Sequence, residues 1–362
     1  MNREVLAAGQ VMAVAALSMI GVAILTAPGT VAVRAGPDAW LSFAVMLALS
    51  IGAAYLMLSP ADWFPGEGLV EYTRRLFGKP LGTAVCLVYS LLEMLSGALV
   101  IRLFAEVVGT AVLAWTPLEV TSGVMLLLVA YLCMQRVRVF GRVNALFLPT
   151  VIVAFYAFII SVFQRATVSN LTPVLARGLG PVASGAASSA VAFQGFEAIL
   201  YFGGYADKPR EAIRAGLLGV FLVGAAFVLT CAGVLGIFGH VHLAVLQWPV
   251  LEAMKVLGGM PGEAIERYES LFVTVWMIAA FTSAGALVYA GTGVFSDLTG
   301  TDRRLLTPIV TPLLYTLVLA PNNVFSAVSL ASVAGAASLG WATVVAIAVG
   351  IAASRTKGAE RR

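Results

Sequence analysis

The chain has 362 residues, of which 60% are hydrophobic and only 11% charged, with a mean hydropathy of +0.96 and a formal net charge of +4. Such a balance lies far outside the range of soluble domains and excludes a water-soluble enzyme or binding module. The small positive excess follows the loops on one side of a membrane and carries no nucleic-acid message, so no nucleic-acid partner is expected.

Apolar segments long enough to cross ~30 Å of hydrocarbon as helices fall at 8–33, 39–58, 80–114, 118–135, 143–163, 181–205, 213–239, 266–296, 305–320 and 324–353. The chain therefore reads as an all-α polytopic membrane protein with ten transmembrane helices. Segment 305–320 is the weakest, because Pro308 and Pro312 interrupt it. The first segment is too long for a cleavable signal peptide, lacks a small-residue cleavage pattern, and is expected to remain as a helix.

Within the first segment, Met19-Ile20-Gly21-Val22-Ala23 places small residues at membrane depth. Half a chain later Phe193-Gln194-Gly195-Phe196-Glu197 does the same and adds a carboxylate. Backbone that leaves the helix inside a bilayer must find polar partners or line a cavity, since lipid offers none. Two interruptions in corresponding positions of two halves point to a binding site near the midplane. The polar link 164–180 divides the ten segments into two sets of five, about 1–163 and 181–353, within one integral domain covering 1–362. An odd number per set inverts the second relative to the first, so the first and sixth segments become symmetry mates.

Lys and Arg number sixteen in the loops and ends on the side of the N-terminus, against five on the other side, with Arg102 inside a span. Cytoplasmic loops retain positive charge, so both termini are expected in the cytoplasm. Two loops look structured. Segment 62–78 reads as a short amphipathic helix on the inner surface, and 250–257, after Trp248-Pro249, as a small helix covering the outer surface.

Ionisable groups in the spans carry the rest of the functional signal, because each costs at least ~2.5–3.5 kcal/mol at the bilayer centre. Glu93, Arg102 and Glu106 lie on the third segment, a helix-3 set of charges. Arg102 and Glu106 stand four residues apart, within pairing distance on one face. Glu93 has no opposite charge one turn away; holding a proton, capping backbone of the first segment and lining the inner vestibule all fit it. Glu197 is placed to receive an ammonium group, ligate an ion or satisfy amides freed by the interruption. A ligand carboxylate would suit the positive N-terminal ends of the half-helices. The candidate ligand-binding residues are therefore Ile20, Gly21, Val22 and Ala23 with Phe193, Gln194, Gly195, Phe196 and Glu197.

Glu266, Arg267, Tyr268 and Glu269 concentrate charge at the head of the eighth segment, where an interfacial cluster with Tyr at headgroup level is the simplest reading. Trp276 and Tyr289, deeper on the same segment, read as packing. Cys86, Cys133 and Cys231 are scattered through apolar spans, and His240 and His242 lie in an outer loop, so no metal or other cofactor is expected. No phosphate-binding Gly-rich loop, zinc-binding His pair or nucleophile elbow is present, which gives no support to enzymatic activity.

The ordered set of Gln10 to Pro28 with Ile20-Gly21, Phe64-Pro65 before Leu69-Val70-Glu71-Tyr72 and Gly78-Lys79, Arg102-x-x-x-Glu106 with Thr116-Pro117, Asn170-Leu171-x-Pro173-Val174-Leu175 with Gly178-Leu179-Gly180-Pro181, Phe193-x-Gly195-x-Glu197, Trp248-Pro249 and Glu266-Arg267-Tyr268-Glu269-Ser270 with Trp276 resembles the endospore germination permeases. These are the B subunits of germinant receptors. The resemblance implies the amino acid, polyamine and organocation transporter superfamily, a LeuT-type 5+5 inverted repeat with broken helices 1 and 6, and residence in the spore inner membrane. It also implies assembly with an A subunit and a C lipoprotein subunit, a small nutrient germinant, most simply an amino acid, bound around Gly21 and Gly195, and a place for Arg102 and Glu106 in the family's charged third helix. The chain departs from the family in reading Gly-Val-Ala at the first interruption, where relatives usually carry Gly-x-Gly, and Gly-Gly-Tyr at 203–205, where a Pro-containing stretch is usual. Two functions fit: a receptor that signals to partner subunits, and a secondary amino acid transporter working by alternating access, with Glu197 or Glu93 available to a coupling proton. A looser third is a share in a conduit for ions or water.

Overall fold

The computed structural model describes residues 4–258 and 266–360, and the path through them is helical almost throughout. In chain order the α-helices are α1 (Ala8–Met19), α2 (Ala27–Ala35), α3 (Ala39–Leu58), α4 (Pro60–Trp63), α5 (Leu69–Phe77), α6 (Lys79–Ala111), α7 (Leu118–Cys133) and α8 (Val137–Phe163). They continue with α9 (Leu179–Phe193), α10 (Ile199–Phe202), α11 (Pro209–Leu243), α12 (Pro249–Gly258), α13 (Glu266–Thr299), α14 (Arg303–Leu319) and α15 (Val324–Glu360). The side chains of Glu266, Arg267, Tyr268 and Glu269 lie outside the described residues.

Six stretches of the described chain are both long and apolar enough to cross a bilayer: Ala27–Trp63, Lys79–Thr110, Val137–Phe163, Pro209–Leu243, Leu271–Thr299 and Val324–Arg355. Large aliphatic side chains such as Leu49, Leu127, Leu146, Val153, Ile309 and Val333 stand exposed on the outside of the bundle, where only lipid would make their exposure favourable. The protein is an integral membrane protein.

Local sequence explains the helix ends. Pro28 enters α2 in its first turn, where its missing N–H costs nothing. Glu71 accepts a bond from the Gly68 N–H at 2.7 Å at the start of α5, and Arg74 and Arg75 sit in its last turn, matching the helix dipole at both ends. Asp302 caps α14 by accepting from the Arg304 N–H at 2.9 Å. Helix α14 then runs through both Pro308 and Pro312, and the hydroxyls of Thr307 and Thr311 beside them donate to the Arg303 and Thr307 carbonyls at 2.8 Å.

The long helices α6 and α13 lie against each other at the centre. Their backbones approach closely at Gly291, where an added Cβ would stand 2.8 Å from the Ser90 carbonyl, and the Ser90 hydroxyl donates to the Gly291 carbonyl at 2.7 Å. Small residues at such crossings are how helices pack where no hydrophobic effect drives them together. Helix α1 packs on α11 and α8, α3 on α11 and α9, α2 on α9, and α15 on α6 and α3. Segment 62–78 forms α5, but Leu69, Val70, Tyr72 and Thr73 are buried and the helix packs on α6, so its apolar face serves the bundle as well as any surface. At the same end the backbone of Leu6 pairs with Tyr205 and Asp207, tying the start of α1 to the residues after α10.

Candidate functional site

Two interruptions of the helical path, one after α1 and one after α9, meet. After α1 the chain turns through Ile20 to Val22, forms a single 3-10 turn at Ala23–Leu25, and resumes as α2. After α9, Gln194 is extended and Gly195 takes φ +112°, then 3-10 turns at Phe196–Ala198 and Gly203–Tyr205 flank the short α10. Only glycine holds that φ without strain. A Cβ on Gly195 would also collide with the Ser18 carbonyl, so this residue is the point of contact between the two interruptions.

Three carbonyls at the interruptions find partners on neighbouring helices, as burial favours. The Ser283 hydroxyl of α13 donates to the Ser18 carbonyl at 2.7 Å, and Trp276 Nε1, seven residues earlier on the same face of α13, donates to the Gly21 carbonyl at 3.3 Å. On the other side Tyr89 of α6 donates its hydroxyl to the Glu197 carbonyl at 3.0 Å. Glu197 turns its carboxylate back to accept from the Gly195 N–H at 2.5 Å, so one of its oxygens serves the interruption itself. Ile20, Gly21, Val22, Phe193, Gly195, Phe196 and Glu197 are buried, while Ala23 and Gln194 are half-buried.

Glu93 and the Arg102–Glu106 pair, read from sequence as one helix-3 set, occupy different places. Glu93 stands near the middle of α6, fully buried, and accepts from the Ser338 hydroxyl of α15 at 3.1 Å. Nine residues on, about 13 Å along the helix axis, Arg102 donates through Nε at 3.0 Å and Nη2 at 2.9 Å to one Glu106 oxygen. Its Nη1 reaches the Val318 carbonyl at 3.3 Å, one of the last carbonyls of α14. The pair thus caps the C-terminal end of α14 and fastens it to α6, a structural task with a clear physical cause.

Access differs at the two ends. At one end α12 packs against α11, α13 and the 3-10 turn at Ala23–Leu25, burying its own Val250, Ala253 and Met254. Towards the other end two adjoining clefts of about 700 and 660 Å³ share Tyr205, Ser296 and Asp302 and are bordered by Glu71, Arg74, Asp297, Arg303 and Arg304. At their head Arg303 lies over the Tyr289 ring, 3.9 Å from its centroid, and Tyr201 and Tyr205 share a hydroxyl hydrogen bond of 2.8 Å.

Several of these residues are invisible to sequence reasoning. Ser283, Ser338 and Tyr89 carry no motif, and Trp276 and Tyr289 read as packing, yet Trp276 holds the first interruption and Tyr289 holds Arg303. The available signal was the spacing of Trp276 and Ser283, which puts both on one helix face.

Helical interruptions joined within a helical membrane bundle define a class of fold, and a solved structure is similar to nearly the whole of this chain. MhsT, crystallised in complex with L-phenylalanine, matches with a TM-score of 0.64 over 93% of this chain and 87% of that chain, at 16% identity. At that identity the likeness establishes the fold, which is LeuT-type, and nothing of the ligand. A family profile described as "Spore germination protein" matches residues 5–325, and the chain belongs to that family. It is 26% identical to spore germination protein YndE of Bacillus subtilis (strain 168) over 273 residues, covering 75% of each chain. It is 27% identical to spore germination protein A2 of the same organism over 278 residues, covering 76% of this chain and 75% of that one.

Proposed function

We propose that this protein is the B-type subunit of a spore germinant receptor, binding a small nutrient between the two interruptions and passing the signal to an A subunit and a C lipoprotein subunit. In this reading residues 1–362 form one domain of ten spans arranged as a 5+5 inverted repeat, with α1 and α2 as the broken first span and α9 and α10 as the broken sixth. Both termini face the cytoplasm, and the membrane is the spore inner membrane. The observation that carries it is the contact of Ser18 with Gly195 in a chain of the spore germination family, which joins one interruption from each half.

Ile20, Gly21, Val22 and Ala23 then form one wall of the pocket and Phe193, Gln194, Gly195, Phe196 and Glu197 the other. A nutrient carboxylate pairs with amides that open the second half of the first span, and apolar walls select the side chain. Binding stabilises one of two arrangements of the interruptions only by its differential affinity for them. Gly21 has no positive φ and its added Cβ would stand 3.3 Å from Ser283 Oγ, so Gly21→Ala crowds the pocket wall at the cost of a small shift of that hydroxyl and without backbone strain. Spores carrying it as their only B subunit should keep normal protein abundance and lose the nutrient response; an unaltered response would refute the pocket.

A second reading, a secondary amino acid transporter, draws on the shared fold with MhsT and on the clefts bordered by Asp302 and Arg303. Saturable, gradient-driven uptake by the purified protein in liposomes would favour it over the receptor.

A further inference from the structure

Beside the second interruption, buried oxygen acceptors outnumber the donors that reach them. Glu93 and Glu197 are both fully buried. Each uses one carboxylate oxygen, Glu93 towards Ser338 and Glu197 towards Gly195. The other oxygen of each, Glu93 Oε2 and Glu197 Oε1, has no hydrogen-bond partner. Tyr89, one turn before Glu93 on α6, donates to the Glu197 carbonyl, so the two acids belong to one junction, and Ser338 donates to Glu93 there. Gln194 brings a third: its side-chain oxygen is unpartnered too, and it rests on Gly335, one turn before Ser338, so closely that a Cβ on Gly335 would overlap it. Among the described residues neither acid enters an ion pair.

A buried acceptor without a donor bears its full desolvation cost, and two carboxylates bear it twice over. Three convergent oxygens, two of them acidic, are the complement of a group that only donates. An ammonium offers three N–H donors and no acceptor, and an alkali ion takes hard oxygen ligands. The residues come from three elements, α6, the interruption after α9, and α15.

We propose that Glu93, Glu197 and Gln194, backed by Ser338, bind a monovalent cationic group, supplied as a free alkali ion or as the ammonium of an amino acid. The occupied site ties α6 and α15 to the second interruption and so couples cation binding to the stability of the bundle. The alkali-ion form stands independently of the nutrient reading; the ammonium form rests on it.

The test is thermal unfolding of the full chain in nanodiscs, in N-methylglucamine chloride at constant ionic strength. One arm adds sodium, potassium or rubidium chloride; the other adds L-alanine or its deaminated counterpart, propionate. A saturable rise in melting temperature is expected in at least one arm. An alkali-ion response assigns the free ion, and a response to alanine without one to propionate assigns the ammonium. Glu93→Gln and Glu197→Gln, separately and together, should lose the response, since each replaces an unpartnered carboxylate with an isosteric neutral amide. Gly335→Ala, which displaces Gln194 and leaves both acids in place, should weaken it at least severalfold. Flat melting of the wild-type protein in both arms would overturn the proposal whether or not the variants fold, as would variants that respond like the wild type. An alkali response without an alanine response would assign the free ion, remove the ammonium form and leave the nutrient reading to its own test.

Discussion

Replacing Gly195 by alanine should destabilise the protein by about 1.5–4.5 kcal/mol, and the sum can be worked from two sources. The residue sits at φ +112° and ψ −35°, a region that costs an L-residue about 1–3 kcal/mol. The added Cβ also collides with the Ser18 carbonyl, so the two interruptions must part. Parting weakens the Ser283 bond to that carbonyl, a net contribution of about 0.5–1.5 kcal/mol. Gly340→Ala is the control, because Gly340 lies inside α15 with open space around its Cβ position. There alanine should be neutral or stabilise the helix by up to about 1 kcal/mol. Unfolding of both variants in nanodiscs, followed by tryptophan fluorescence against denaturant or temperature, separates them. If Gly195→Ala unfolds together with Gly340→Ala, the interruptions do not meet as described.

Ser283→Ala and Trp276→Phe each remove one donor to the first interruption and should each cost about 1 kcal/mol in the same assay, a value consistent with a net hydrogen bond. Glu106→Ala leaves Arg102 largely buried with its Val318 bond but no counter-charge, and should lower membrane abundance measured by immunoblot. Replacing Arg102 by Met in that background should restore abundance, and loss of the nutrient response in the restored protein would assign the pair a role beyond fastening α14. Tyr289→Leu removes the ring beneath Arg303 and should lower stability by about 1–2 kcal/mol, part cation–π contact and part lost packing. An unshifted melting curve would show that the stack contributes nothing.

The helical segments were legible because composition and periodicity act locally. The expected segment 39–58 has the bounds of α3 (Ala39–Leu58), since Gly36 and Pro37 before it and Pro60 after it punctuate an unbroken apolar run. The interruptions at Gly21 and Gly195 were visible as small residues in apolar context for the same reason. What holds them was not. The partners of Ser18, Gly21, Glu93 and Glu197 lie 265, 255, 245 and 108 residues away in the chain, and ordinary Ser, Trp and Tyr residues announce nothing about such pairings. The separation of Glu93 from Arg102 follows from helix rise alone, but its bond to Ser338 depends on how α6 and α15 cross. Segment 305–320, read as the weakest because Pro308 and Pro312 interrupt it, is a helix, α14, but is not one of the six stretches long and apolar enough to cross a bilayer.

The most direct test of the central claim is a structure of the protein with a nutrient that triggers its response, identified from a panel of amino acids, sugars and nucleosides. Density touching Gly21 on one side and Gly195 or Glu197 on the other is the expected result. A nutrient seated instead in the clefts beside Arg303, or under α12, with the space between the interruptions closed, would contradict it.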